Sequence, residues 1–224
     1  YSIAHHELMF FPDWDIQNYY SSVVTSQYIV EIPNDLSINY RPMNINSTPD
    51  IQTASKQSTY TWTFDNLPAI EYEPYSPNSA KILPQILITL NQFQVDDYSG
   101  SFASWNDFGA FVHLLNKDRD ALSPAMKQKV LTLTQDCKND AEKIAVLYEY
   151  LKANMRYVSV QLGIGGWQTF DAQYVEENKY GDCKALTNFM KGMLKTAGIK
   201  AYASLITAGD QNIDIKENFT SPFF

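Results

Sequence analysis

The spacing of hydrophobic positions changes near residue 100 of this 224-residue chain. In the first part, short runs rich in β-branched and aromatic residues alternate with turn signals, a pattern that predicts β-strands. The clearest turn signal is Pro33-Asn34-Asp35, and the polar segment 44–56 predicts a loop. The runs that predict strands are 2–11, 23–32, 36–43, 58–64 and 82–93. Regularly spaced strands of this kind predict a β-sandwich.

After residue 100 the hydrophobic positions recur at steps of three and four, which predicts helices with one buried face. Ser104 is a good cap for the first helix, and Ser123 followed by a proline begins the second. Asn139 and Glu142 have the spacing of a capping box for the third. The rest of this part predicts an extended segment, a mobile glycine-rich loop and a strand, at 156–162, 163–166 and 200–207.

A fourth helix is predicted to begin at Cys183, within the run KYGDCKAL of residues 179–186. Gly181 gives the backbone freedom that a turn needs, and the Asp182 side chain can accept from the first-turn amides as an N-cap. Gly198 suits the left-handed residue that ends many helices. The apolar stripe of this helix consists of Leu186, Phe189, Met190, Met193, Leu194 and Ala197.

The position of Cys183 has a chemical consequence. A thiolate, not a thiol, is the nucleophile in cysteine chemistry. A helix N-terminus carries roughly half a positive charge, which favours the anion, and Lys184 adds a positive charge beside it. The local pattern alone leaves two interpretations open: a catalytic nucleophile, or a small residue that packs the start of the helix.

Composition limits the kinds of function that we consider. The chain is 45% hydrophobic and 19% charged, as expected of a packed core, and its net charge of −8 argues against a nucleic-acid backbone as partner. Its two cysteines form no disulfide framework, although a Cys137–Cys183 bridge would be possible and would remove the nucleophile. The spacing of metal-binding residues predicts no metal, and the glycine-rich segment 163–166 is not followed by the Lys-Ser/Thr of a phosphate loop. We expect no cofactor and no membrane span.

Two stretches resemble known families. Residues 163–207 resemble the core of the transglutaminase-like superfamily, through the run GIGGWQTFDAQYVEENKYGDCKALTNFMKGMLKTAGIKAYASLIT. The resemblance extends over about 140–207 and is closest to bacterial members preceded by a domain of unknown function, DUF3857. Residues 11–36, FPDWDIQNYYSSVVTSQYIVEIPNDL, resemble the later part of that domain.

The resemblance implies an α+β fold class: an N-terminal β-sandwich followed by a partial transglutaminase-like domain, which is related to papain-like cysteine proteinases. We expect three parts: a β-sandwich within a DUF3857-like domain at 1–100, a helical linker at 101–135 and an incomplete transglutaminase-like core at 136–224. The cysteine of the family's GDCK-type turn is the nucleophile, and it corresponds to Cys183.

Three further residues are candidates for the site. The family places a tryptophan of this motif near the nucleophile, so Trp167 either walls the acyl site or donates its indole N–H; a core aromatic is the alternative. Gln161 is a candidate oxyanion donor, because a side-chain amide stabilises a developing negative oxygen, or else a solvated strand residue. We expect Asp182 to act as a helix cap rather than as a catalytic group.

The expected proton-transfer partner of Cys183 is missing from the sequence. The family order is Cys, His, Asp, yet His5, His6 and His113 all precede Cys183. Three explanations are considered: a chain truncated before the His and Asp, an inactive relative, or replacement of the base by His113. We favour truncation, since both ends of the sequence look cut.

The predicted function is acyl transfer on an amide bond of a protein or peptide substrate, through a Cys183 acyl-enzyme. Hydrolysis by a cysteine peptidase or amidase is favoured over cross-linking, because water needs no second binding site. This chain by itself is expected to be inactive. The alternative is a non-catalytic binding or scaffold module with the same fold. The resemblance implies an extracytoplasmic location, periplasmic or at the cell surface; the residues indicate no location and no oligomeric state.

Overall fold

The computed structural model describes residues 9–11, 14–206 and 215–222, and it divides the chain into two compact units. The first unit comprises the described residues up to Phe108 together with 215–222, and the second runs from Gly109 to Ile206. Division by packing does not locate family boundaries, so the domain bounds given above stay predictions.

The described residues of the first unit form seven strands in three small sheets. They are β1 (Val23–Pro33), β2 (Ile38–Met43), β3 (Asp50–Thr53), β4 (Gln57–Leu67), β5 (Gln85–Leu90), β6 (Gln92–Val95) and β7 (Tyr98–Ser101). The sheet orders are β1-β4-β3, β2-β5 and β6-β7, and every pairing among them is antiparallel. One 3₁₀ turn, Ser79–Lys81, precedes β5.

The core of the first unit lies between the β1-β4 pair and the β2-β5 pair. Tyr28 on β1 is opposite Trp62 on β4, and the Trp62 side chain is completely buried. Alternate residues of all four strands contribute to one cluster, because successive side chains of a strand point to opposite faces. The cluster includes Val30, Ile32, Ile38, Trp62, Phe64, Ile86, Ile88 and Leu90.

Residues 215–222 complete the first unit. The indole N–H of Trp105 donates to the carbonyl of Lys216 at 3.0 Å, and the Thr89 hydroxyl donates to the carbonyl of Thr220 at 3.3 Å. Phe219 is buried. This segment therefore contributes to the packing of the first unit although it follows the second unit in the chain.

The second unit contains most of the helices. The helices among the described residues are α1 (Trp105–Leu115), α2 (Pro124–Thr134), α3 (Asp140–Asn154), α4 (Ala172–Asn178) and α5 (Cys183–Thr196). A short parallel pair, β8 (Arg156–Tyr157) and β9 (Tyr180–Gly181), and a 3₁₀ turn, Gly163–Gly166, complete the unit. α1 begins at the end of the first unit and continues into the second.

The predicted α+β class is confirmed, with a sheet-rich part followed by a helical part. The label β-sandwich stays a prediction. Strands predicted at 23–32, 36–43 and 58–64 are present as β1, β2 and β4. The predicted strand at 2–11 lies almost entirely outside the described residues.

Two predictions for the first unit are wrong. The segment 44–56 was expected to be a loop but contains β3, whose four residues are all exposed, so that no hydrophobic alternation marks it. The single strand expected at 82–93 is divided at Asn91, because the residues before it pair with β2 and those after it pair with β7. β7 then pairs with β6 across a turn at Asp96, which has the left-handed φ of 48° that tight hairpins use.

The predicted helix starts are confirmed by their caps. The Ser104 hydroxyl accepts from the Asp107 N–H at 3.1 Å, and the Ser123 hydroxyl accepts from the Met126 N–H at 3.0 Å. The Asn139 side chain accepts from the Glu142 N–H at 2.9 Å. Each contact satisfies an amide that the helix itself leaves without an acceptor.

Four further segments differ from their predictions. The pattern did not indicate α4. Residues 163–166 form a 3₁₀ turn instead of a loop, and only the first two residues of 156–162 lie in a strand. Residues 200–206 form no strand, because no described segment supplies the neighbouring backbone that a β-ladder requires.

α5 is the central helix of the second unit. Its residues Ala185, Phe189 and Met193 are fully buried, and the half-buried Leu186 and Met190 pack against the same cluster. Helices α2, α3 and α4 all contribute side chains to this cluster, through Met126, Val130, Leu147, Ala172 and Val175. The predicted apolar stripe therefore faces the core.

The C-terminal half of α5 is held by a buried carboxylate. Asp120 accepts from the ammonium of Lys191 at 3.1 Å and from that of Lys195 at 3.3 Å. Burial opposes ionisation of Asp120, but the two ammonium groups outweigh it and lower the pKa of this carboxyl. A Cβ at Gly192 would lie 2.5 Å from the Asp120 carbonyl oxygen, so only glycine permits this close approach.

Replacing Phe189 with Ala should lower the free energy of unfolding by about 3–5 kcal/mol, because it leaves a cavity in the core. Replacing the half-buried Leu186 with Ala should cost less, below about 2 kcal/mol. Urea denaturation followed by circular dichroism at 222 nm measures both. Equal costs for the two substitutions would contradict the burial pattern of α5.

Replacing Asp120 with Asn should cost about 1–3 kcal/mol of stability at pH 7, because two hydrogen bonds to ammonium groups lose their charge. A carboxyl with a lowered pKa in the folded state contributes stability above its unfolded pKa of about 3.9 and loses it as pH falls through the folded value. The difference between wild type and variant should therefore narrow below about pH 4. Urea denaturation at several pH values measures it, and a difference independent of pH would contradict the ion-pair assignment.

Candidate active site

The turn before α5 requires a glycine for reasons of space. A Cβ at Gly181 would lie 2.8 Å from the Cβ of Ala185. Gly181 ends β9, and its carbonyl accepts from the Val158 N–H at 3.0 Å. The chain thus passes from β9 into α5 within two residues. The side chain at the N-terminus of α5 is therefore that of Cys183.

Asp182 is the N-cap of α5 and is only 1% exposed. One carboxylate oxygen accepts from the Ala185 N–H at 2.9 Å, and the other accepts from the ammonium of Lys184. Both oxygens therefore have donors, as a buried carboxylate requires. This geometry is that of a cap.

Cys183 is the first residue of α5, and its side chain is exposed. It therefore lies in the first helical turn, where the effect of a helix dipole is concentrated. The sequence predicts that Lys184 adds a positive charge beside Cys183, but the structure pairs that charge with a carboxylate. The Lys184 side chain is largely buried in an ion pair with Asp182, so its charge is balanced rather than free beside the sulfur.

Trp167 and Gln161 lie on the segment that follows β8. The Arg156 N–H donates to the carbonyl of Lys179 at 2.8 Å, so this segment begins beside the residues that lead to Cys183. Gln161 is exposed, whereas Trp167 is half-buried. The backbone N–H of Trp167 donates to the Ile164 carbonyl at 2.8 Å and closes the 3₁₀ turn. Their roles at the site stay predictions.

The other cysteine and the described histidine are placed elsewhere. Cys137 is half-buried just before α3, and both cysteines are free, so the considered disulfide is not formed. His113 is exposed near the end of α1, while His5 and His6 lie outside the described residues.

Metal-ion clusters and membrane-spanning helices are considered for residues 9–11, 14–206 and 215–222. No cluster of three or more His, Cys, Asp or Glu side chains with the geometry for a metal ion occurs there. Within the same ranges, no helix is both long and apolar enough to cross a membrane.

Asn188 is a buried polar residue near the site that the sequence analysis did not identify. Asn188 lies on α5 and is 6% exposed, and its side-chain amide contacts two other segments of the second unit. In the sequence it stands between apolar positions of the helix, and nothing in the hydrophobic pattern distinguishes a buried asparagine from a solvated one.

Comparisons with families place these elements in a known context. Residues 3–71 match the family model of a domain of unknown function, DUF3857, and residues 127–218 match that of the transglutaminase-like superfamily. The two matches follow one another in the chain, and residues 127–218 are called the transglutaminase-like segment below. The transglutaminase-like segment includes Cys183 and all of α5. No curated protein matches the chain.

One solved structure resembles this chain in fold. It is the crystal structure of a candidate protease from Parabacteroides distasonis ATCC 8503, with a TM-score of 0.55 and 18% sequence identity. The match covers 85% of this chain and 36% of that protein, so this chain spans about a third of its length. At this identity the likeness concerns the fold.

Cys183 should react several-fold faster than Cys137 with iodoacetamide at neutral pH. Cys183 is exposed at a helix N-terminus, whereas Cys137 is half-buried. Competitive alkylation followed by peptide mapping measures the two rates, with Cys183→Ser as the control that leaves Cys137 alone. Equal rates would contradict the assignment of Cys183 as the reactive thiol.

Proposed function

We propose that Cys183 is the nucleophile of an acyl-transfer reaction on amide bonds, and that the activity is hydrolysis by a cysteine peptidase or amidase. The observation that carries the proposal is the exposed Cys183 side chain at the first position of α5, inside the transglutaminase-like segment. The structural neighbour described as a candidate protease supports peptide or protein substrates over other amides.

The proposed reaction has two steps. The Cys183 sulfur attacks the carbonyl carbon, a C–S bond forms, the C–N bond breaks and the leaving amine takes up a proton. Water then attacks the thioester, which releases a carboxylic acid and restores the thiol. Hydrolysis is favoured over transfer to a second amine, because water needs no binding site of its own.

Two groups are proposed to stabilise the negative oxygen of the intermediate. The first amides of a helix have no intrahelical acceptor, so the Cys183 N–H is available at the N-terminus of α5. The Gln161 side-chain amide is the second candidate, and Trp167 is the proposed wall of the acyl site. Asp182 supports the arrangement as a cap, since it fixes the first turn that carries the sulfur.

Departure of the amine requires a general acid that delivers a proton to it. No histidine follows Cys183 in the sequence, and the described His113 is exposed on α1. A helix dipole favours a thiolate but cannot protonate an amine. Acid–base assistance contributes about 10²- to 10⁴-fold in rate, so the chain with Cys183 alone is expected to be a poor catalyst.

We therefore expect this chain to form a covalent adduct with peptidyl electrophiles at Cys183 but not to turn over peptide amides. Mass spectrometry of the adduct and a fluorogenic peptide panel measure the two properties, with Cys183→Ala as control. Turnover above background that Cys183→Ala abolishes would contradict the second expectation, and His113→Ala would then test the upstream histidine. Absence of any adduct would contradict the proposed nucleophile and favour a non-catalytic binding module.

A further inference from the structure

The segment that follows Trp167 is tied to the end of α1 and the loop after it. Residues 168–172 connect Trp167 to α4, and residues 115–119 lie beside them. Their hydrogen bonds run from the Gln168 side chain to the Leu115 carbonyl at 3.2 Å, from the Thr169 N–H to the Asn116 side chain at 2.8 Å and from the Ala172 N–H to the Arg119 carbonyl at 2.8 Å. An ion pair joins Arg119 to Asp171 at 3.0 Å.

Asn188 joins both of these segments to α5. Its side-chain amide donates to the Arg119 carbonyl at 2.7 Å and to the Phe170 carbonyl at 3.3 Å. One buried group thus bonds to two backbone carbonyls that belong to different segments. Hydrogen bonds are directional, so this arrangement restricts the position of Phe170 along α5 more tightly than apolar packing would.

The geometry connects this contact with the candidate site. Asn188 follows Cys183 by five positions, which is about 7.5 Å along a helix axis. Trp167 precedes Phe170 by three positions, so its Cα lies within about 11 Å of that of Phe170. Asn188 thus links α5, whose first residue is Cys183, to the segment that carries Trp167.

We propose that Asn188 is a positioning residue that holds the Trp167-bearing segment in register with Cys183. The proposal rests on the proposed function, in which Cys183 is the nucleophile and Trp167 a wall of the acyl site. Asn188 acts through the Phe170 and Arg119 carbonyls and touches no reacting atom. A buried amide is costly unless both donor hydrogens are used, and here each hydrogen has an acceptor on a different segment.

The test uses the full chain with Asn188→Leu, which keeps the approximate size of the side chain and removes both donors. Hydrogen exchange is measured at the Thr169 and Ala172 amides. Cys183 labelling is measured with iodoacetamide, which is small, and with a peptidyl acyloxymethyl ketone, which needs an ordered acyl site. Thr134→Val is the matched control, because it also removes a buried side-chain hydrogen bond of the second unit, to the Val130 carbonyl, away from the site.

The proposal predicts that Asn188→Leu speeds exchange at the Ala172 amide by roughly tenfold, the factor that corresponds to a lost hydrogen bond. It also predicts that the peptidyl reagent labels Cys183 roughly 10- to 100-fold more slowly, while the iodoacetamide rate changes less than about twofold. Thr134→Val should change neither the exchange nor the ratio of the two rates. A ratio that is the same in Asn188→Leu and wild type would overturn the proposal.

A milder pair of variants keeps the test valid if Asn188→Leu does not fold. Asn116→Asp keeps an oxygen acceptor for the Thr169 N–H, whereas Asn116→Ala removes it. Asn116→Ala should slow peptidyl labelling selectively and Asn116→Asp should restore it; identical behaviour of the two would count against the proposal that this segment positions Trp167. If wild-type Cys183 reacts with neither reagent, the proposed function fails, which is distinct from failure of the positioning role.

Discussion

The buried carboxylate of Asp182 is the contact on which the surroundings of Cys183 depend. A carboxylate that is 1% exposed is stable only when its oxygens have donors. The Ala185 N–H and the Lys184 ammonium supply them. This single group therefore starts α5, fixes the direction of its first turn and removes the free charge of Lys184 from beside the sulfur. The thiol of Cys183 next to it is exposed.

The rest of the second unit holds α5 through three kinds of contact. Phe189 and Met193 anchor it in the core, Asp120 pairs with Lys191 and Lys195 at its C-terminal half, and Asn188 ties it to the backbone near Phe170. A helix held by packing, ion pairs and buried hydrogen bonds at once has little freedom to move. Such a support suits the proposed role of Cys183, since a nucleophile is most effective when its position is set before the substrate arrives.

Local sequence was sufficient for elements whose signals lie within a few residues. Ser123 and Asn139 mark helix starts because a cap acts on amides two or three positions away, and β1 and β4 are marked by the composition of their own residues. β3 was missed because all of its residues are exposed, and its strand conformation comes from pairing with β4. Residues 200–206 of the strand expected at 200–207 show the converse: no described segment offers them a partner backbone, and they form no ladder.

At the candidate site, too, some features follow from neighbours in the chain and others from tertiary contacts. The sequence by itself determined the glycine turn, the Asp182 cap and a cysteine at the first position of an amphipathic helix, because each depends on neighbours in the chain. Only the tertiary structure decided that Lys184 is paired rather than free, that Cys183 is exposed while Cys137 is half-buried, and that Asn188 bonds to two distant carbonyls. Those properties depend on which segments surround a residue. Contacts with distant parts of the chain leave no periodic pattern in the sequence, so neither burial nor hydrogen-bond partners can be predicted from it.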